Sequence, residues 1–267
     1  MQSNDRLRQI TTIFITILTL VVNSLATTLP LNNKTTAELS DSFHIRFVPA
    51  GYVFAVWGVI YLGFVAYTIW QALPRNAANP RARAIGWWYI GGSIANTLWL
   101  VFWHYQYVTV TLPIMLTLLA TLIVTAIRLH QQAPTGWGER LCLDMPMRIY
   151  MGWISVATVV NVTVVLFDNG LVVPDDQAVM WAVVLVAVAV GLALAQRWFR
   201  GDTAFGMVIA WAVYGVAIKQ DIYVAQGILP AAPLLRDVAS LAAPALAGVL
   251  LMWWLVDRFR PATRSVS

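Results

Sequence analysis

Tyr150-Met151-Gly152-Trp153-Ile154-Ser155-Val156-Ala157-Thr158-Val159-Val160-Asn161 is the stretch on which the fold turns. It holds no charged residue and belongs to an apolar run from Met147 to Phe167. A helix rises ~1.5 Å per residue, so such a run reaches across the ~30 Å hydrocarbon layer of a bilayer. Within it Tyr150, Trp153, Ala157 and Asn161 recur at steps of three, four and four, which puts them on one helical face. An amide at that depth has to hydrogen-bond, either to a neighbouring helix or to a bound molecule.

The chain around this stretch has the same character. Of its 267 residues 60% are hydrophobic and 11% charged, less than half the ~25% charge of a soluble domain. Apolar runs predict spans at Leu7–Thr28, Tyr52–Ala72, Ala84–Tyr107, Val108–Leu129, Met147–Phe167, Ala178–Gln196, Thr203–Val224 and Leu235–Val256. The expectation is an all-α integral membrane protein of about eight transmembrane helices. In the first span Arg6 and Arg8, an apolar stretch and Ser24-Leu25-Ala26 also fit a cleavable signal peptide. The apolar stretch is longer than a signal core, which favours a retained helix; cleavage would leave seven.

Charge sets the expected orientation. With the N-terminus inside, thirteen of the seventeen Lys and Arg fall on inner segments, from Arg6 and Arg8 through Arg258, Arg260 and Arg264. Lys34, Arg46, Lys219 and Arg236 are left outside, where acidic residues gather. Both termini are therefore expected in the cytoplasm, with a bacterial inner membrane as the setting. In a membrane protein the basic excess reflects this rule, so nucleic acid is not an expected partner; the lipid bilayer is. Cys142 is the single cysteine, so neither an intrachain disulfide nor a cysteine metal cluster is available.

Most of the thirteen tryptophans fall at helix ends, where indoles favour the interface. Trp57, Trp99, Trp153 and Trp211 lie well inside their spans. The third span aligns Tyr89, Gly92, Asn96, Trp99 and Trp103 on one face, matching the stripe of the fifth. The second adds Trp57 and Tyr61, four apart, and the first adds Asn23. Two readings stay open: the stripes line an outer-half cavity for a flat, mostly apolar ligand, or the amides join helices while the aromatics fill gaps.

These residues resemble the translocator-protein family, the tryptophan-rich sensory proteins of TspO type. Tyr89, Asn96 and Trp99 fit the family's Tyr-x-x-Gln-x-x-x-Asn-x-x-Trp helix, with Gly92 in place of the glutamine. Tyr150 to Asn161 is similar to its Pro-Tyr-x-x-Trp-x-x-Phe-Ala-Thr-x-Leu-Asn helix, with Ile149 in place of the proline. Pro49 to Trp57 resembles its Pro-Pro-Gly-Trp-Val-Phe-Gly-Pro-Val-Trp segment, one residue shorter and lacking the internal proline. The resemblance covers residues 1–168 as a TspO-like five-helix core, with residues 169–267 as three additional helices. It implies a cavity that binds a tetrapyrrole such as a porphyrin, and a sensory or transport role. The implied ligand-binding residues are Trp57, Tyr61, Tyr89, Asn96, Trp99, Tyr150, Trp153 and Asn161, with no metal and no required cofactor.

Other functions compete with this receptor or carrier. A small-solute transporter would use Lys219 and Asp221, although Lys219-Gln220-Asp221 reads as lying near the outer surface. An intramembrane enzyme needs converging nucleophile, acid–base or metal groups, and no Asp or Glu falls deep in a span. His44, His104 and His130 fall at loops or helix ends and read as solvated interface residues. Arg148-Ile149-Tyr150 followed by Val156 fits a reversed sterol-contact pattern, which recurs by chance. Gly91-Gly92 permits close helix packing, so a homodimer stays open.

Overall fold

A computed structural model describes residues 3–28 and 31–259; Arg260 and Arg264, counted above with the inner charges, lie outside them. Long helices dominate it: α1 (Ser3–Thr28), α2 (Val56–Ala72), α3 (Pro80–His104), α4 (Val108–His130), α5 (Met145–Asp168), α6 (Asp175–Arg200), α7 (Thr203–Ala225) and α8 (Pro233–Phe259). Their ends follow local chemistry. Asn79 caps α3 by accepting from the Ala82 amide, with Pro80 in the first turn where its missing N–H costs nothing. Asp202 caps α7 through the Phe205 amide, and α6 stops at Gly201, whose φ of 65° suits glycine.

Among the described residues seven segments are long and apolar enough to cross a membrane, α2 with its preceding 3₁₀ turn Gly51–Ala55 and α5 from Trp137. The exception is α3, and its packing explains why. It runs parallel to α1 along its whole length: Arg83 meets Asp5, Tyr89 meets Thr16, and Asn96 meets Asn23. A helix that keeps pace with a spanning neighbour covers the same thickness, and its lower apolarity comes from a polar face spent on α1. The expected eight helices are therefore present. Ser24-Leu25-Ala26 lies inside α1, and Ala26 is fully buried.

The first five long helices pack through α1–α3, α3–α4, α4–α5 and α2–α5 contacts, and α6, α7 and α8 pack on one another. The two sets meet where α5 lies against α7. Gly152 allows that contact, since a Cβ there would sit 3.0 Å from the Phe205 carbonyl oxygen. Large apolar side chains such as Leu62, Leu241 and Phe259 face outward, as a lipid solvent permits.

Ion pairs sort to two ends of the bundle. At the end that holds the start of α1, Arg81, 2% exposed, bonds Asp144 at 2.6 Å and Glu139 at 3.2 Å, while Arg83 bonds Asp5 at 2.6 Å. At the opposite end Arg46 bonds Asp175 at 2.6 Å and Lys219 bonds Asp41 at 2.7 Å.

Candidate functional site

Trp57, Trp99, Trp153 and Asn161 wall one cavity, contributed by α2, α3 and α5. Trp103 and Phe54 join them: Trp103 stacks on Trp99 at 5.5 Å and 19°, and Phe54 meets Trp153 edge-on at 5.4 Å. Trp57 stands edge-on to Trp153 at 6.3 Å. Asn161, 1% exposed, donates from Nδ2 to the Thr111 hydroxyl at 2.8 Å and accepts from Trp99 Nε1 at 3.3 Å. Thr111 gives its own proton to the Val108 carbonyl at 2.6 Å. Asn161 thus joins α5 to α4 and also faces the cavity.

The cavity volume is ≈ 30 Å³. One water needs ~10–15 Å³ and a drug-sized ligand ~300–1,000 Å³. This conformation has room for water and none for a tetrapyrrole, so any flat ligand has to part the indoles.

The other four predicted residues form a packed layer beside the cavity, toward the end that holds Arg81. Asn96, 0% exposed, accepts from Asn23 Nδ2 at 2.9 Å, and the Tyr61 hydroxyl donates to Asn23 Oδ1 at 2.9 Å. Tyr89 shares a hydrogen bond with the Thr16 hydroxyl at 2.8 Å. Trp57 stacks on Tyr61 at 5.4 Å, and Phe64 meets Tyr150 edge-on at 5.0 Å. The Asn96 Nδ2 and the Tyr150 hydroxyl interact across this layer, but neither completes a hydrogen bond. Two unspent polar groups therefore lie beneath the tryptophans, in a place where each is costly to leave unpaired.

Thr36, Ser40 and Pro49 cover the cavity on the side away from this layer. Thr36 and Ser40 belong to a short helix, Thr36–Asp41, started by a capping box in which Thr35 and Glu38 satisfy each other's amides. The Thr35 amide and hydroxyl both donate to the Glu38 carboxylate and hold it below the usual carboxylate range. This cover is fastened to α6 and α7. Lys219 holds Asp41, Arg46 holds Asp175 and donates to Gln220 Oε1 at 3.1 Å, and Tyr223 donates to the Ile45 carbonyl at 3.2 Å.

Several sequence readings change here. Lys219 and Gln220 are buried, because α7 continues to Ala225 and turns both toward the cover. Asp221, two residues on, faces away and is 58% exposed beside Arg236. His104 is 0% exposed, with Nδ1 on the Leu100 carbonyl at 2.8 Å, and is no solvated interface residue. Trp211 stays off the cavity; its Nε1 donates to the Val53 carbonyl at 3.1 Å and its ring meets Tyr52. Arg148 and Tyr150 share no surface, since Tyr150 is buried against Phe64 while Arg148 lies in an outward groove.

A family model described as TSPO-like protein matches residues 9–256. The chain belongs to the TSPO-like family. The match extends through the last three helices, beyond residue 168, where the motif-level resemblance stopped. Membership makes this an integral membrane protein and points to a receptor- or carrier-type role. Searches of curated proteins and of solved structures found no match.

Trp103 was legible in the sequence as the next step of the α3 stripe. Phe54 and Thr111 carried no signal, because a 3₁₀ turn and a separate helix bring them in. Neither did Thr36 and Ser40, which come from a connecting segment.

Proposed function

We propose that this member of the family is a non-catalytic membrane receptor or carrier for a flat hydrophobic ligand of tetrapyrrole type. The ligand parts Trp57, Trp99 and Trp153 and stacks between them, with Asn161 as a hydrogen-bonding anchor. Tyr61, Tyr89, Asn96 and Tyr150 form the floor, where the unspent Asn96 Nδ2 and Tyr150 hydroxyl become available to polar substituents. The observation that carries this reading is the convergence of three indoles and a buried amide on one cavity. Indole faces offer wide stacking surfaces to planar ligands. In this proposal the five-helix part binds the ligand, and α6 and α7 hold its cover. The orientation has both termini on the cytoplasmic side of a bacterial inner membrane, supported by the arginine-rich inner end.

The solute-transport alternative loses its motive, since Lys219 is committed to Asp41 and Asp221 faces the opposite way. The direct test is tryptophan quenching of the detergent-purified chain titrated with protoporphyrin, beside a folded Asn96→Leu/Asn161→Leu variant. Saturation near one ligand per chain, weakened in the variant, is expected. No saturable binding by the folded parent overturns the proposal.

A further inference from the structure

A second and much larger space lies at the seam between the five-helix part and the last three helices. It is an open groove of ≈ 960 Å³ walled by α2, α5, α7 and α8. Val59, Ile149, Met207 and Leu251 supply apolar wall, and Arg140, Arg148 and Arg197 stand at its inner end.

Depth and charge indicate what fills it. Along α7 the groove runs from Thr203 at the inner end to Trp211, eight residues on, or ~12 Å at ~1.5 Å per residue. That is close to half of a ~30 Å hydrocarbon core, the depth of one leaflet. The acids near the arginines are already engaged: Asp144 by Arg81, Asp257 by Arg197, and Asp202 by the Phe205 amide. Arg148 lies 3.8 Å from Asp202, too far for a hydrogen bond, and Arg140 is exposed with no ion pair among the described residues. Arg197 is 5% exposed, and its Nε has no hydrogen-bond partner. The inner end therefore offers several unspent guanidinium donors at the level of lipid headgroups, above an apolar slot one leaflet deep.

We propose that this groove is a binding site for one anionic phospholipid of the inner leaflet. Its phosphate is held by Arg140 and Arg148, with Arg197 behind them, and its acyl chains lie along Ile149, Met207 and Leu251 toward Trp211. Guanidinium suits this role because its planar fork matches phosphate oxygens. The site is separate from the tryptophan cavity and does not depend on what that cavity binds.

The test is native mass spectrometry of the full chain released from nanodiscs of equal phosphatidylglycerol and phosphatidylcholine. One retained phosphatidylglycerol per chain is expected, favoured about tenfold or more over phosphatidylcholine, given the attraction of two basic side chains for an anionic headgroup. Arg140→Gln/Arg148→Gln should bring the two lipids to parity, and Met207→Trp should expel either one by filling the slot. Equal retention of both lipids by the parent overturns the proposal. So does unchanged phosphatidylglycerol in both variants with parental melting. Displacement by inorganic phosphate would assign the arginines to a free oxyanion, and a dimer mass lost in Met207→Trp would give the groove to a second copy. Either result also overturns it.

Discussion

Asn23 on α1 donates from Nδ2 to Oδ1 of Asn96 on α3 at 2.9 Å, tying two parallel helices together at the level of the floor beneath the tryptophans. The same Asn23 accepts from Tyr61 of α2, so one amide joins three helices. Asn23→Leu is expected to lower stability by ~1 kcal/mol, the scale of interhelical hydrogen bonds within membranes. Combining it with Asn96→Leu should cost less than the two single changes added together. Unfolding of the four proteins in mixed micelles measures the coupling; strict additivity would deny the pair its structural role.

Ligand uptake should be gated by a conformational step, because the cavity is ≈ 30 Å³ when closed. Stopped-flow quenching by protoporphyrin is expected to give a rate that levels off with ligand concentration, set by opening. Lys219→Gln releases the Asp41 contact and should raise that plateau several-fold. A rate linear in ligand throughout, or a plateau unmoved in the variant, would count against a cover latched by α7.

At the end of the bundle that holds the start of α1, Arg81 neutralises two buried acids, Asp144 and Glu139, and also donates to the Leu129 carbonyl at 3.1 Å. Arg81→Met leaves both carboxylates buried without a cation, a loss of ~3–5 kcal/mol. Adding Asp144→Asn and Glu139→Gln should recover part of it. Denaturant unfolding of the single and triple variants compares the two. A mild single variant would show that water reaches this end freely.

The short helix Thr36–Asp41 should loosen in acid. Glu38 has its carboxyl lowered by the Thr35 amide and hydroxyl, so its capping contribution is fully present above the ordinary value of 4.5 and fades as pH falls through the lower folded value. Glu38→Gln, which keeps an acceptor without the titration, should remove this dependence. The Thr35 amide resonance, followed by NMR as pH is lowered, reports it; the same titration in parent and variant would contradict the assignment.

How much of this was legible in advance varies by element. The fifth span announced itself, since Ile149 to Phe167 is uncharged and its stripe repeats at helical spacing. The α3 stripe was equally readable, and it predicted that Trp99 and Asn96 share a face. It could not say that Asn96 points to Asn23 while Trp99 points to Asn161, because partners on other helices depend on rotation and register in the bundle. Lys219 shows the same limit: read along the chain it marked a helix end, yet a cover segment far away in sequence buries it.

The sequence by itself determined the membrane class, the number of helices and the gathering of aromatic groups on particular faces. Composition and periodicity are local properties that a bilayer converts directly into spans. Only the tertiary structure decided that four of the eight expected ligand residues wall a closed cavity and four form its floor. It also decided that α6 and α7 fasten the cover and that a large groove opens at the seam. Those outcomes rest on helix rotation and on side chains that meet across long stretches of sequence, and no local pattern encodes either.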